Sequence, residues 1–178
     1  MRVSDIILER LAKAGVDTCF TVYGGAISEL MDAFTRQTAI RYIVPMHEQA
    51  AGFMAEGYAK ASGKIGFAMA TSGPGGGNLV VPIQNCFYDS TPCIFITGQV
   101  ASGFCRPYGS PLRQLGFQET PIVDITRPIT KWSTQITVAD EAAWIMEKAI
   151  KKCISGRPGP VLIDICIDIQ KCSVKPLV

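Results

Sequence analysis

The chain has 178 residues, 48% of them hydrophobic and only 18% charged, with a formal net charge of +2. That length suits a single domain, and the near-neutral charge gives no basis for a nucleic-acid partner. No apolar run approaches the roughly 20 residues that a membrane-spanning helix needs, so no membrane partner is expected.

In chain order, Ser4-Asp5 opens a helix whose stripe of Ile7, Leu8, Leu11 and Ala12 repeats at helical spacing, and Gly15 stops it. Residues 16–22 read as a first strand. Tyr23-Gly24-Gly25-Ala26 then turns the chain into a second helix carrying Leu30, Met31 and Phe34. Residues 40–44 read as a second strand. Pro45 disfavours helix in the residue before it, so a third helix begins after it, with His47, Glu48 and Gln49 in its first turn. The rest of that helix is unusually small: Ala50, Ala51, Gly52, Ala55, Gly57 and Ala59. A mid-helix glycine costs about 0.5–1 kcal/mol relative to alanine. Gly52 and Gly57 therefore indicate close approach by another backbone or a ligand.

Residues 65–70 read as a third strand, almost wholly apolar, as suits a strand covered on both faces. The glycine-rich run Thr71-Ser72-Gly73-Pro74-Gly75-Gly76-Gly77-Asn78 leads into another apolar helix. A fourth strand over 93–97 ends at Gly98-Gln99. Residues 100–117 form an irregular excursion, and loops of that length are usually functional or disordered. A short segment near 122–125, a strand near 130–132, a helix over 140–154 and a last strand over 161–165 complete the chain. Alternating strands and helices predict an α/β domain, three layers deep, around a largely parallel sheet. Ligands of such sheets sit beyond the carboxyl ends of the strands. The loops that begin at Tyr23, Pro45, Thr71 and Gly98 should share that edge.

Glu48 sits where unpaired N–H groups and the helix dipole favour a negative charge. Its plain alternative is an ordinary first-turn glutamate. The glycine run invites a phosphate or dinucleotide reading. A P-loop needs Gly-Lys-Ser/Thr where Gly77-Asn78-Leu79 stand. The dinucleotide fingerprint needs a glycine at Asn78 and an acidic residue closing the next strand, which ends Thr97-Gly98-Gln99. A tight turn that packs helix on sheet remains the structural alternative. The seven cysteines have no Cys-x-x-Cys spacing and His47 is the single histidine, so no metal site is expected. Asp5 and Glu9 interrupt the region where an export signal would lie. Reduced, buried thiols and a cytoplasmic location follow as expectations.

Four stretches together resemble one family. Tyr23-Gly24-Gly25-Ala26, His47-Glu48-Gln49-Ala50-Ala51, Ala70-Thr71-Ser72-Gly73-Pro74-Gly75 and Ile96-Thr97-Gly98-Gln99-Val100 are similar to the N-terminal pyrimidine-binding domain of thiamine diphosphate enzymes, acetolactate synthase and its relatives above all. Phe117-Gln118-Glu119-Thr120-Pro121 and Ser155-Gly156-Arg157-Pro158-Gly159-Pro160 match in the same order. Proline is usual in acetolactate synthases where Tyr23 stands, and Ala-Thr where Gly76-Gly77 stand. These departures bear on the substrate rather than the cofactor.

The resemblance implies that Glu48 hydrogen-bonds the pyrimidine nitrogen of thiamine diphosphate and so promotes loss of the thiazolium C2 proton. It implies that Gly24 and Gly25 lie near the reactive centre and that Thr71, Pro74, Asn78 and Gln99 bind cofactor. Phe117 and Gln118 are implied in the active-site surroundings. Arg157 matches a contact to FAD in flavin-containing members, and Lys131 is either near a substrate carboxylate or solvated. The family holds the diphosphate and its magnesium on a separate domain bearing Gly-Asp-Gly, a triplet absent from these 178 residues. The chain is therefore expected to be one pyrimidine-binding domain without its central and diphosphate-binding domains, inactive alone, and completed by such a domain or chain in trans. It would serve an enzyme acting on 2-keto acids. The alternatives are an assembly module without catalysis and the small subunit of a split 2-keto acid decarboxylase. A homodimer is expected, with an interface that includes the 48–59 helix at Gly52 and Ala55.

Overall fold

The computed structural model describes residues 1–107 and 109–174, and these contain a six-stranded sheet. Its strands are β1 (Thr18–Thr21), β2 (Arg41–Ile43), β3 (Gly66–Ala70), β4 (Cys93–Gln99), β5 (Trp132–Ile136) and β6 (Val161–Cys166). They lie in the order β2-β1-β3-β4-β6-β5, and every neighbouring pair is parallel. All the carboxyl ends therefore share one edge, as the alternating pattern predicts.

Side chains alternate across a strand, and this divides the core in two. Cys19, Phe67, Met69, Ile94, Ile96 and Ile163 face one layer. There they meet the helices α1 (Val3–Lys13), α2 (Ser28–Ala33) and α7 (Ala142–Ile154). Phe20, Ala68, Ala70, Phe95 and Leu162 face the other layer. That layer holds α3 (Glu48–Ser62), α4 (Pro74–Asn78), α5 (Val80–Asp89) and α6 (Ile122–Thr126). A last short helix, α8 (Ile167–Lys171), follows β6. The three-layer α/β/α arrangement is the one expected.

The small residues of α3 are explained by packing within the chain. Ala51, Ala55 and Ala59 are buried against the sheet. A Cβ on Gly66 of β3 would stand 2.3 Å from the Ala55 carbonyl oxygen, so helix backbone and strand backbone nearly touch. A Cβ on Gly52 would lie 2.3 Å from Pro82 Cγ on α5. Gly52 and Ala55 thus face inward, which corrects their placement in a subunit interface. Gly57 is the exception: its missing Cβ would meet nothing within 4 Å.

Three local details differ from the sequence reading. His47 is the N-cap of α3 rather than part of its first turn, and its Nδ1 accepts from the Gln49 N–H at 3.1 Å. The glycine run coils into α4, with Pro74 at its start, where a proline's missing N–H costs nothing. The fifth strand lies at Trp132–Ile136 rather than near 130–132. It is an edge strand, half-exposed and rich in polar residues, so it lacks the apolar run that marks the central strands.

One carboxylate breaks the apolar character of β6. Asp164 is buried and accepts from Thr97 Oγ1 at 2.7 Å, Gln135 Nε2 at 3.0 Å and Gln99 Nε2 at 3.2 Å, joining β4, β5 and β6. Burial pushes its pKa up to about 6, against these hydrogen bonds, which favour the charged form. A folded-state pKa above the unfolded value of about 4 gives stability that is complete below pH 4 and lost as pH rises toward 6. Chemical denaturation of the native chain and of Asp164→Asn should therefore show a stability difference that falls across this window. The expected fall is on the order of 3 kcal/mol, flattening above it. A difference independent of pH would show that Asp164 titrates as an exposed carboxylate.

Candidate functional site

The crossovers place a crevice beside β1. From β1 the chain passes through α2 to β2 at the sheet edge. It then returns through α3, on the opposite layer, to β3 on the other side of β1. Connections leaving β1 and β3 diverge, and the space between their carboxyl ends is where parallel sheets bind ligands. The loop after β1 carries Gly24 and Gly25, and the loop after β3 carries Thr71 and the glycine run. Glu48 comes to the same place at the N-terminus of α3.

Close contacts bind these pieces together. The Ala26 N–H donates to Thr71 Oγ1 at 3.1 Å. A Cβ on Gly24 would stand 2.3 Å from Thr71 Cβ, so only glycine lets the two loops meet. Gly98 on β4 permits another close approach, since its Cβ would lie 2.1 Å from the Ala26 carbonyl oxygen. Asn78, the last residue of α4, donates from Nδ2 to Glu48 Oε2 at 2.9 Å. A Cβ on Gly75 would be 2.8 Å from Thr71 Cγ2 and 3.6 Å from Glu48 Oε1. Glu48, Asn78, Thr71, Gly24 and Gly75 therefore form one connected constellation. Glu48, Thr71 and Asn78 are half-buried, while Gly25 and Pro74 are exposed at its mouth.

Gln99 belongs to the floor. It is buried, its Nε2 donates to the Thr120 carbonyl at 2.8 Å as well as to Asp164, and its Oε1 accepts from the Val100 N–H at 3.1 Å. Its amide positions the start and end of the 100–121 loop. Gln118 reaches the site from that loop with a left-handed φ of 60°, and packs where a Cβ on Gly73 would stand 2.7 Å away. Phe117 beside it is 84% exposed. Glu119 organises the same loop by accepting from the Arg106 N–H at 2.6 Å and the Leu115 N–H at 2.9 Å.

Lys131 and Arg157 lie elsewhere. Each precedes a strand, β5 and β6 respectively, and so stands at the amino edge of the sheet, opposite Glu48. Lys131 Nζ donates to the Ser155 carbonyl at 2.5 Å. Arg157 donates to Ser90 Oγ at 2.6 Å and to the Tyr88 carbonyl at 3.1 Å, closing the carboxyl end of α5. Asp164 and the Ala26 backbone join the site without a role read for them in the sequence, and Gly98, read there as the start of a site loop, joins it through its absent Cβ. A lone carboxylate within the apolar run Val161-Leu162-Ile163-Asp164-Ile165 was the available signal for the first. Ala26 acts through backbone atoms, which leave no trace in a sequence, whereas the missing side chain of Gly98 is legible in it.

Residues 1–126 match the family model described as thiamine pyrophosphate enzyme, N-terminal TPP binding domain. Acetolactate synthase 3, chloroplastic, of Brassica napus is 46% identical over 171 residues, covering 94% of this chain and 25% of the relative. Acetolactate synthase, chloroplastic, of Arabidopsis thaliana is 46% identical over 171 residues, 94% of this chain and 24% of that protein. Acetolactate synthase 2, chloroplastic, of Nicotiana tabacum is 44% identical over 176 residues, 97% of this chain and 25% of that protein. The chain thus spans about a quarter of the length of these relatives. Their names place them in the chloroplast, which overturns the expectation of a cytoplasmic location. Cysteine usage distinguishes reducing from oxidising surroundings and does not tell one reducing compartment from another.

The loop contact gives a direct prediction. Gly24→Ala should destabilise the chain by about 1–3 kcal/mol, because the added methyl displaces Thr71 and strains its hydrogen bond to Ala26. Gly25→Ala, where a Cβ meets nothing within 4 Å, should change stability by less than about 0.5 kcal/mol. Parallel denaturant titrations check both, and equal effects would contradict the contact.

Proposed function

Since this chain belongs to the thiamine pyrophosphate enzyme family, as an N-terminal TPP binding domain, we propose that it supplies the pyrimidine-binding half of a thiamine diphosphate site. The enzyme would act on 2-keto acids in the manner of acetolactate synthase, decarboxylating one and joining the product to a second substrate. The observation that supports this reading most is the Glu48 carboxylate, held by Asn78 at a glycine-lined switch point.

The residues present fit the group. Gly24 and Gly75 let Thr71 close in beside Glu48, whose half-buried carboxylate is the acidic group that a pyrimidine ring nitrogen would take up. When bound, thiamine diphosphate supplies the electron sink for carbon–carbon bond cleavage and formation. Glu48 Oε2 is fixed by the Asn78 amide, and Oε1 is directed to the glycine side, where it would hold a proton against a ring nitrogen. Thr71 and Pro74 would orient the ring, with Gly24 and Gly25 allowing backbone approach from β1. Gln99 contributes by holding the Thr120 carbonyl and the Val100 N–H. Gln118 and Phe117 would border the substrate from the 100–121 loop.

The diphosphate and its magnesium would be held by another domain or chain. Among the described residues no group of three or more His, Cys, Asp or Glu is placed to hold a metal. Arg157 and Lys131 stand at the far edge, so any flavin contact of Arg157 would be separate from the pyrimidine site. Assembly would use the exposed side of α3 and α5, where Phe53, Met54, Val81 and Tyr88 leave apolar surface open. No helix among the described residues is long and apolar enough to cross a membrane.

Two measurements test this reading. In the enzyme completed with its diphosphate-binding domain, Glu48→Gln should keep the fold and slow exchange of the cofactor C2 proton by about 10²–10⁴-fold. Unchanged exchange would remove Glu48 from the activating role. Light scattering at low micromolar concentration should return the mass of a dimer, and Phe53→Asp should shift it toward the monomer. A clean monomer for the native chain would remove the homodimer.

A further inference from the structure

The 100–121 loop brings two thiols together. Cys105 Sγ lies 3.6 Å from Cys166 Sγ, although 61 positions separate them in sequence. Cys105 is half-buried in the loop, and Cys166 is the buried last residue of β6. A second contact holds the same two segments: Ser102 donates from its N–H at 2.9 Å and its Oγ at 2.5 Å to the Asp168 carboxylate. Cys19, Cys86, Cys93 and Cys153 are buried. Among the cysteines, therefore, Cys105 alone combines partial exposure with a neighbouring thiol recorded at this distance.

We propose that Cys105 and Cys166 form a reversible intramolecular disulfide that staples the 100–121 loop to the carboxyl end of β6. A disulfide has a sulfur–sulfur distance of about 2.05 Å, so the two atoms must close by roughly 1.5 Å. Cys105 sits in irregular backbone just beyond the 3₁₀ turn Ser102–Phe104, and so is not held by sheet hydrogen bonds. A turn about its side chain with a small loop shift supplies the movement.

The oxidant is a small disulfide such as oxidised glutathione. Cys105 loses its proton and its thiolate attacks one glutathione sulfur. That disulfide breaks, and a glutathione thiolate leaves. Cys166 loses its proton and attacks Cys105 Sγ in the mixed disulfide, and the second glutathione thiolate leaves. The protein loses two electrons and two protons, and both pairs end on two molecules of reduced glutathione. Burial pushes both thiols up, with Glu119, Asp164 and Asp168 adding to the effect at Cys105. The reaction is accordingly slow near neutral pH, and the less buried Cys105 is the attacking group.

The staple bears on the site whichever cofactor it holds. The far end of the same loop packs Gln118 on Gly73 of the glycine run. A covalent bond at Cys105 restrains the loop between two fixed points, β6 and that turn.

Incubation of the folded native chain with oxidised glutathione, followed by acid quenching, tests the pair. Thiol counting after denaturation should show a loss of two from the seven cysteines. Fragmentation spectra should show a Cys105–Cys166 cross-link that dithiothreitol removes and that neither Cys105→Ser nor Cys166→Ser can form. The folded chain retaining all seven thiols would overturn the proposal. So would Cys105 accumulating only as a glutathione adduct, or a cross-link between other cysteines.

Discussion

Near-contact between α3 and its neighbours is the constraint on which the site depends. Helix and strand normally keep a side-chain layer between them, but here Gly66 lets the Ala55 carbonyl rest on β3, and Gly52 lets α3 lie against Pro82. A helix seated this closely cannot slide or roll without collision, because interiors are packed to near crystalline density. Its N-terminus is thereby fixed, and with it Glu48. The contacts along α3 and the α4–α5 pair repeat about every turn. Glu48 meets Asn78, Gly52 meets Pro82, and Glu56 accepts from Asn85 Nδ2 at 2.8 Å. Lys60 closes the series on Asp89 at 2.5 Å. The two helical segments run side by side from the same edge, so a contact at one level sets the register at the next.

A second set of close approaches brings the loops to that fixed helix. Gly24 against Thr71 and Gly98 against the Ala26 carbonyl draw the ends of β1, β3 and β4 together. Both sets rely on absent Cβ atoms, and such contacts are sensitive to a single methyl group. The site is consequently assembled from backbone geometry first, with Glu48, Asn78 and Thr71 placed as its few polar groups.

The charged groups divide by depth and by edge. Glu48 is half-buried at the carboxyl edge and open to a ligand, whereas Asp164 is enclosed and spends its lone pairs on Thr97, Gln99 and Gln135. Asp164 reaches the site through Gln99, which ties it to the 100–121 loop, and through Thr97, which packs on Gly76 of the glycine run. At the amino edge, Asp17 accepts from Lys64 and from Tyr58, both at 2.5 Å, and these hydrogen bonds hold its carboxyl well below the usual range. Lys131 and Arg157 are occupied at that same edge with backbone carbonyls. The chain therefore separates an amino edge, closed by ion pairs and caps, from a carboxyl edge where the glycine loops meet beside Glu48.

Sequence alone determined the alternation of strands and helices, the shared edge of the loops at Tyr23, Pro45, Thr71 and Gly98, and the place of Glu48 at a helix N-terminus. Each of these follows from local signals: apolar runs, glycine and proline punctuation, and the restriction that Pro45 imposes on its predecessor. Ordered motifs across the chain also carried the family. The tertiary structure alone decided which small residues face inward. Gly52 and Gly57 look alike in sequence, yet one lies under Pro82 and the other meets nothing. It alone placed Lys131 and Arg157 at the far edge, because strand direction and order set which residues are neighbours and neither is written locally. The polar edge strand Trp132–Ile136 is displaced from the strand read near 130–132, and the short helix Ile167–Lys171 has no counterpart in the sequence pattern, for the same reason. The strand is held by pairing with β6 and by the Gln135 bond to Asp164, and the helix packs on α1 and α2. The meeting of Cys105 with Cys166 is of this kind too, since only the folded path of the 100–121 loop brings those sulfurs into contact.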